Sequence, residues 1–286
     1  MQKKVLGDAA ATSVSERMAI MTRQARSNDG TPIAYEQSGA GQALILVDGA
    51  LCSRSFGPSA ALAAAFAKRF TVIRYDRRGR GASGDTQPHA IAREIEDLAA
   101  LIEDAGGRAS LVGLSSGGAL ALHAAAAGLP VDAVVVYEAP YVEESGVRSP
   151  VDHEAELRRL LARNDRGAAV GYFMRDMVGA PRVVPIMMRL FFWMWPKLKA
   201  VAHTLPYDAA VMTGFRVPRA HFTTIRCPVL VLNGGKTDLR LKAAALCLAN
   251  VVPGARRGEL AGQTHNVKAA ALAPAVIDFL TDTVAR

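Results

Sequence analysis

Residues 110–128, SLVGLSSGGALALHAAAAG, decide the fold. The apolar run SLVGL favours a buried strand, and the Ala- and Leu-rich run after it favours a helix. Between them stands the pentapeptide Gly113-Leu114-Ser115-Ser116-Gly117, a G-x-S-x-G pattern. Such a tight turn strains its central residue and needs flanking residues without side chains, so that strand and helix can approach. We therefore predict that Ser115 is the nucleophile. Ser116 does not fit the pattern, because the residue two positions before it, Leu114, would have to be small. The alternative is a Gly- and Ser-rich helix start without catalytic function.

The segments around this turn alternate between strand and helix patterns. Such alternation predicts right-handed crossovers and a mostly parallel sheet. An Asn-Asp-Gly turn at 28–30 predicts a hairpin ahead of them. After the hairpin, the predicted strands are 43–47, 70–76, 110–114, 131–138, 227–233 and 255–260, and the predicted helices are 58–69, 88–105, 117–128, 239–250 and 268–284.

The alternation stops between residues 141 and 225. This segment contains helical patterns, such as HEAELRRLLARN at 153–164, but no convincing strand. We predict an α/β core of residues 18–140 and 226–286 that carries a helical insertion, residues 141–225, between its sixth and seventh strands. Residues 1–17 lack sustained periodicity and predict a flexible N-terminal lead.

Composition excludes several classes of protein. The 286 residues are 50% hydrophobic and 21% charged, with a net charge of +8, which is typical of a globular protein. Three cysteines without C-x-x-C spacing indicate neither a disulfide framework nor a zinc knuckle, and they fit a reducing compartment. No stretch reaches the ~18 apolar residues of a spanning helix, and the first 20 residues lack a signal peptide's apolar run. We expect a cytoplasmic protein without stable membrane insertion.

The basic charge does not predict nucleic-acid binding. Its densest cluster, Arg74, Arg77, Arg78 and Arg80, has no interleaved aromatic residues for base stacking. We expect Arg77, Arg78 and Arg80 to brace the loop after the fourth strand. The sequence also lacks the G-x-x-x-x-G-K-[ST], G-x-G-x-x-G and H-E-x-x-H motifs, so we expect no nucleotide or dinucleotide cofactor and no metal.

A serine nucleophile needs a base within hydrogen-bonding reach, and His265 is the best placed of six histidines. It lies in Ala-Gly-Gln-Thr-His-Asn, between the last predicted strand and the last predicted helix. The other five histidines lie in predicted helices or in the insertion. A loop at this point of the chain returns to the carboxyl edge of the sheet, so His265 is the predicted base for Ser115.

Two further motifs complete a family resemblance. Val47-Asp48-Gly49-Ala50 follows the third strand, and DRRGRGAS at 76–83 follows the fourth. Together with the G-x-S-x-G turn at Ser115 and with His265, these motifs make residues 20–286 resemble the α/β-hydrolase fold. More narrowly, the chain resembles small bacterial hydrolases with a Tyr-Glu-x-Pro element, here residues 137–140. The resemblance implies an eight-stranded, mostly parallel sheet flanked by helices, a helical lid between strands 6 and 7, and a serine nucleophile.

The resemblance also implies the remaining parts of the site. The backbone N–H groups of Ala50 and Ser116 would form an oxyanion hole. Asp48 stands where the family usually has histidine, and we expect its side chain to turn away and bind backbone or arginine. The triad acid stays open between Asp238, one position later than the commonest spacing after the seventh strand, and Glu138 at the end of the sixth.

The Met- and aromatic-rich insertion predicts an apolar pocket, although packing against the core is the alternative for most of these side chains. We expect a cofactor-free serine hydrolase for an ester, lactone or related acyl bond of a small-to-medium apolar substrate. The alternatives are a thioesterase or acyltransferase, with the net positive charge attracting an acidic carrier protein, and a non-hydrolytic or ligand-binding member of the fold. The candidate pocket residues are Leu51, Tyr141, Met174, Met188, Phe192 and Trp193.

Overall fold

A single sheet is built from the strands of residues 22–143, 151–181 and 183–284, the part of the chain that the computed structural model describes. The strands are β1 (Arg23–Arg26), β2 (Pro32–Ser38), β3 (Gln42–Val47), β4 (Phe70–Tyr75), β5 (Ala109–Leu114), β6 (Val131–Tyr137), β7 (Val229–Gly234) and β8 (Arg256–Leu260). Their order is β1-β2-β4-β3-β5-β6-β7-β8. The pairs β1/β2 and β2/β4 are antiparallel, and all other pairs are parallel.

Helices connect the parallel strands and cover both faces of the sheet. The helices of the core are α1 (Ser59–Phe66), α2 (Ile91–Asp104), α3 (Ser116–Ala126), α10 (Leu239–Val251) and α11 (Ala269–Val284). Those between β6 and β7 are α4 (His153–Ala162), α5 (Arg166–Tyr172), α6 (Val183–Leu190), α7 (Trp195–Val201), α8 (Leu205–Val211) and α9 (Arg219–Phe222), with a π-helical turn, Phe173–Met177, after α5.

The central strands are apolar on both sides because helices cover both faces. In β3, Leu44 and Leu46 pack toward α1 and α11, whereas Ile45 and Val47 pack toward α2, α3 and α10. Successive side chains of a strand point to opposite faces, so this continuous apolar run supplies both cores at once. The sheet therefore holds its carboxyl edge, where the candidate site lies, on a rigid base.

The elements predicted after the 28–30 turn are confirmed with ends shifted by a few residues. The predicted helix at 88–105 begins at Ile91, because Ala90 before it has an extended backbone. His89 stacks on Tyr207 of α8, with ring centroids 3.8 Å apart. The predicted hairpin is also present, as β1 and β2. The predicted lead, residues 1–17, lies outside the described residues.

The segment between β6 and β7 contains helices and turns throughout its described residues, as predicted. It has an apolar cluster of its own, to which Leu157, Val170 and Leu205 contribute, together with Leu51 from the loop after β3. The separation of core and insertion as domains stays a prediction. Within the described ranges, the helices are too short or too polar to span a membrane.

Candidate active site

Ser115 occupies a strained turn between β5 and α3. Its backbone angles are φ 53° and ψ −126°, a conformation that residues with a side chain rarely adopt. A Cβ on Gly113 would lie 2.5 Å from the Gly117 carbonyl oxygen, and one on Gly117 would lie 2.1 Å from the Val47 carbonyl oxygen. Neither glycine could carry a side chain without moving backbone. The two glycines therefore permit the turn that presents Ser115 at the carboxyl edge of the sheet.

His265 lies in the loop between β8 and α11 and contacts a buried carboxylate. Its Nδ1 is 2.8 Å from Oε2 of Glu138, which directly follows β6 and is completely buried. A carboxylate accepts hydrogen bonds but cannot donate them, so Nδ1 of His265 carries the proton in this contact. Nε2 is then the nitrogen that can accept a proton. Ser115 and His265 line the same cavities. Among the described residues, Glu138 is the hydrogen-bond partner of the His265 ring, and Ser115 Oγ forms no hydrogen bond within 3.5 Å.

Further hydrogen bonds hold Glu138 and His265 in place. Glu138 Oε1 accepts from the Gly234 N–H at 2.7 Å, and Oε2 also accepts from Thr237 Oγ1 at 3.1 Å. Tyr137 OH donates to the Thr264 carbonyl at 2.6 Å and so ties the histidine loop to the end of β6. Sequence reasoning missed Tyr137 and Thr237. The Tyr-Glu pair at the strand end was the available signal for Tyr137.

Asp238, the rival candidate for the acid, has a different position. Its Oδ1 accepts from the Arg240 N–H at 2.7 Å at the start of α10, and its carboxylate pairs with the Arg240 side chain. These hydrogen bonds lower the pKa of Asp238. The side chain is about half exposed at the rim of a cavity shared with His265, and its contacts are those of a helix cap. The structure therefore brings Glu138, and not Asp238, into contact with His265.

The loop after β3 approaches Ser115 closely. A Cβ on Gly49 would lie 3.1 Å from both Ser115 Cβ and the Leu114 carbonyl oxygen. Ala50 follows at the edge of a cavity that Ser115 also lines. Ser116 is the first residue of α3, where backbone N–H groups have no acceptor within the helix. The N–H groups of Ala50 and Ser116 thus belong to the two segments that flank the Ser115 side chain.

Asp48 departs from the expectation. It is buried, but its Oδ1 has no hydrogen-bond partner within the described part of the chain. The nearby guanidinium groups of Arg77 and Arg80 bond other carboxylates and the carbonyl oxygens of Asp48 and Gly49 instead. Burial raises the pKa of Asp48 to about 6, although the charges of both arginines lower it. The prediction of an arginine or backbone partner is therefore wrong for this oxygen.

The arginines of the loop after β4 brace it, as predicted. Arg77 binds Glu94 of α2 through two hydrogen bonds of 2.7 and 2.8 Å, and Arg78 binds Asp97 in the same way. All four side chains are almost completely buried. Burial raises the pKa of Glu94, but the charges and hydrogen bonds of Arg77 and His89 together outweigh it and hold that pKa well below its usual range.

Two cavities meet at Ser115 and His265. One, of about 310 Å³, extends along Met177, Met212 and Phe215 to a polar rim at Lys236. The other, of about 430 Å³, extends past Leu51, Phe56 and Met174. Phe173 and Val178 line both of them. Another cavity of about 840 Å³, between α4 and residues 209–216, is lined by neither Ser115 nor His265.

The structure brings two of the six predicted pocket residues, Leu51 and Met174, to the site. Tyr141 is completely buried against Phe222, and Met188 packs on the apolar cluster of the insertion. Phe192 and Trp193 lie in the turn between α6 and α7, where they are 80% and 57% exposed and contact each other. The expectation that these two line the cavities is corrected, because both side chains are largely exposed and neither lines a cavity with Ser115.

No cluster of three His, Cys, Asp or Glu side chains suited to a metal ion occurs in residues 22–143, 151–181 and 183–284. The titratable groups that line the cavities with Ser115 are His265, Asp238, Lys236, Arg240, Cys52 and Tyr137. Burial raises the pKa of Cys52 to about 12, so its thiol stays neutral at ordinary pH. The arrangement is thus equipped for proton transfer and nucleophilic attack by side chains.

Solved structures with the same architecture are numerous. An alpha/beta hydrolase from Sphaerobacter thermophilus DSM 20745 is 47% identical, with a TM-score of 0.83 over 90% of this chain and 99% of the other. The enol-lactonase from Burkholderia xenovorans LB400 is 26% identical, with a TM-score of 0.66 over 91% and 100%. A thermophilic esterase from Thermogutta terrifontis, at 20% identity and a TM-score of 0.68 over 92% and 99%, shows the shared fold.

Sequence comparison gives a result consistent with these structures. No functionally curated protein matches the chain at a significant level. The sequence model of the alpha/beta hydrolase family matches residues 39–275, which include the turn at Ser115, the loop at His265 and the insertion between them. On this match, and on the 47% identity to a solved relative, the chain belongs to the alpha/beta hydrolase family.

Proposed function

We propose that the protein is a cofactor-free serine hydrolase that cleaves an ester, lactone or related acyl bond through an acyl-enzyme at Ser115. One observation carries the proposal. A serine in a strained strand-to-helix turn shares a cavity with a histidine whose Nδ1 lies 2.8 Å from a fully buried carboxylate. A base oriented by a third group is the arrangement that activates a serine hydroxyl.

The reaction would begin with attack of Ser115 Oγ on the acyl carbon, while His265 Nε2 takes the hydroxyl proton. Negative charge then develops on the carbonyl oxygen, and the N–H groups of Ala50 and Ser116 would stabilise it. Protonated His265 gives its proton to the leaving group, and a water molecule hydrolyses the acyl-enzyme by the same steps. Glu138 would hold the tautomer of His265 and stabilise the imidazolium ion.

Glu138 is a better candidate for the acid than Asp238. It contacts the imidazole directly, and the Gly234 N–H and Thr237 hydroxyl fix its two oxygens. Asp238 already bonds the backbone and side chain of Arg240. Moving it to His265 would leave both the helix start and a guanidinium group without a partner.

The cavities favour a small-to-medium apolar substrate. Methionine, phenylalanine and valine side chains line both, and the volumes of about 310 and 430 Å³ suit an acyl group and a leaving group on opposite sides of Ser115. Phe173, Met174 and Met177 come from the segment between β6 and β7, so we propose that this insertion acts as a lid. The name of the enol-lactonase neighbour supports chemistry at an acyl carbon.

Mass spectrometry with a fluorophosphonate tests the nucleophile and the acid together. We expect one adduct on the wild type and none on Ser115→Ala. Glu138→Gln places an amide donor toward His265 and reverses its tautomer, so adduct formation and turnover of a p-nitrophenyl ester should fall by roughly 10³- to 10⁴-fold. Asp238→Asn is the matched control and should retain both rates within about threefold.

Two results would contradict the proposal. A folded wild type that forms no adduct would refute a serine hydrolase. If Asp238→Asn lost the rate and Glu138→Gln kept it, the assignment of the acid would be reversed while the nucleophile stood.

A further inference from the structure

Asp208 is a buried residue of the insertion whose carboxylate contacts core residues next to the candidate site. It lies on α8, is completely buried, and accepts three hydrogen bonds from the core. Oδ1 accepts from Ser116 Oγ at 2.8 Å and from Arg77 Nη1 at 2.7 Å, and Oδ2 accepts from Arg80 Nη2 at 2.7 Å. No step of the mechanism above uses Asp208.

Arg80 extends this contact to the loop after β3. Its Nη1 donates to the Gly49 carbonyl oxygen at 2.7 Å. That carbonyl belongs to the same peptide unit as the Ala50 N–H, and a peptide unit is planar with its C=O and N–H pointing in opposite directions. Fixing the carbonyl therefore fixes the direction of the N–H, and the cation at the oxygen strengthens the N–H as a donor.

Ser116 supplies the other half of the arrangement. Its hydroxyl bonds Asp208, and its backbone N–H is the second donor of the proposed oxyanion hole. One carboxylate thus anchors both segments: Ser116 directly, and the Gly49–Ala50 peptide through Arg80.

We propose that Asp208 is a positioning residue that aligns both oxyanion donors. The insertion then contributes to the site in two ways, through Asp208 and through the side chains that line the cavities. This inference rests on the proposed function, because it requires Ala50 and Ser116 to bind an oxyanion. Asp208 acts through its neighbours and does not touch the substrate.

The buried charges around Asp208 make the arrangement rigid. Arg77 and Arg80 face Glu94 and Asp208, so two cations meet two carboxylates, and His89 Nε2 also lies 3.2 Å from Glu94 Oε1. Burial lowers the pKa of Arg77, but Glu94 and Asp208 outweigh it and keep that pKa well above its usual value. Desolvated pairs with ideal geometry resist displacement, because breaking one leaves an unpaired buried charge.

The chain offers a matched control for this role. Asp97 is as buried as Asp208, and it binds Arg78 of the same loop through hydrogen bonds of 2.8 and 2.6 Å. The remaining bonds of Arg78 go to Asp29, Ser27 and the Arg93 carbonyl, and none reaches Ser116 or Gly49. Asp97→Asn thus breaks an equivalent buried ion pair away from the oxyanion donors.

The experiment compares Asp208→Asn with Asp97→Asn. Both variants should be destabilised in urea, since each removes a buried carboxylate from an arginine: among the described residues, Asp208→Asn leaves Arg80 without a charged partner, whereas Asp97→Asn leaves Arg78 with Asp29 alone. Only Asp208→Asn should lower kcat for p-nitrophenyl butyrate, by roughly 30- to 300-fold, with KM within about threefold, as expected for misaligned oxyanion donors. Inhibition by phenylboronic acid, whose serine adduct is tetrahedral, should weaken in parallel with kcat for Asp208→Asn and stay unchanged for Asp97→Asn.

Ser116→Ala and Arg80→Lys carry the test if Asp208→Asn does not fold. Ser116→Ala keeps the backbone N–H and removes its link to Asp208, and Arg80→Lys removes the two-pronged bridge. Each should lower kcat at least about fivefold without a matching change in KM, a loss smaller than that for removing a donor outright. Unchanged kcat in both folded variants would overturn the inference.

The outcomes separate this inference from the proposed function. If wild-type Ser115 forms no fluorophosphonate adduct, the proposed function fails and the inference fails with it. If the wild type reacts and Asp208→Asn keeps its kcat and boronate affinity, or loses them only as much as Asp97→Asn does, the inference alone is refuted.

Discussion

Replacing Asp48 by asparagine should make the protein more stable at neutral pH. Asp48 is 3% exposed, and its Oδ1 lacks a hydrogen-bond partner among the described residues. The hydroxyl of the buried Ser59 and the charges of nearby arginines lower the pKa of Asp48, but they do not offset the effect of burial. Asparagine has the shape of aspartate but no charge to desolvate, and its amide can donate where the carboxylate cannot.

The magnitude follows from the pKa of Asp48, which burial raises from 3.8 to about 6. Below about pH 3 the carboxyl is neutral in both the folded and the unfolded chain, so its charge costs nothing. As the pH rises toward 6 the unfolded chain loses the proton first, and the free energy of unfolding falls. Above about pH 7 the loss is complete, and at 1.36 kcal/mol per pH unit it amounts to about 3 kcal/mol.

Urea denaturation at pH 5 and pH 8 measures this effect. Asp48→Asn should raise the free energy of unfolding at pH 8 by up to about 3 kcal/mol and by less at pH 5, while Asp282→Asn, at a largely exposed position, should change neither. If Asp48→Asn showed the same pH dependence as the wild type, or were less stable at pH 8, the argument that the surroundings of Asp48 only partly offset the burial of its charge would be refuted.

Two predictions concern glycines and exposed aromatic residues. Gly117→Ala should prevent native folding, because its Cβ would lie 2.1 Å from the Val47 carbonyl oxygen. Gly171→Ala, in α5 with open space around the site, should stabilise the protein by about 0.5–1 kcal/mol. Thermal unfolding followed by circular dichroism distinguishes the two variants, and a Gly117→Ala variant as stable as the wild type would contradict the packing argument. Phe192→Ser and Trp193→Ser should leave kcat and KM for p-nitrophenyl butyrate within about twofold, because both side chains are exposed and neither lines a cavity with Ser115. A large rise in KM would instead place them in contact with the substrate.

The fold was predictable because its signals are local. A run such as ALILV at 43–47 is short and apolar at every position, which is typical of a strand covered on both faces. The glycines of the turn at Ser115 are equally informative, since any side chain at Gly113 or Gly117 would meet backbone. Steric constraints of this kind act within a few residues and leave a direct mark on the sequence.

The candidate site was less predictable because its polar contacts join distant segments. Glu138 and Asp238 both follow a strand, and only the path of the loops after β7 and β8 decides which one meets His265. Asp208 is 131 residues from Arg77 in the chain, and no local pattern connects the two. One signal was present: Asp208 is the only Asp or Glu between Asp176 and Asp238. A lone acid in a long basic and apolar stretch indicates a buried partner for a cation elsewhere.

Backbone strain gives an independent argument for the composition of the site. Of the six non-glycine residues with positive φ in the described ranges, three lie in the insertion, and the other three are Leu51, Ser115 and Glu138. These three follow β3, β5 and β6, which are adjacent in the sheet. Each such conformation costs of order 1–3 kcal/mol and persists only where the surroundings enforce it. Asp238, with a φ of −57°, bears no such strain. Three neighbouring strand ends thus hold strained turns that carry Leu51 beside the proposed oxyanion donor, the proposed nucleophile and the proposed acid, and this placement favours Glu138 over Asp238 without reference to any side-chain contact.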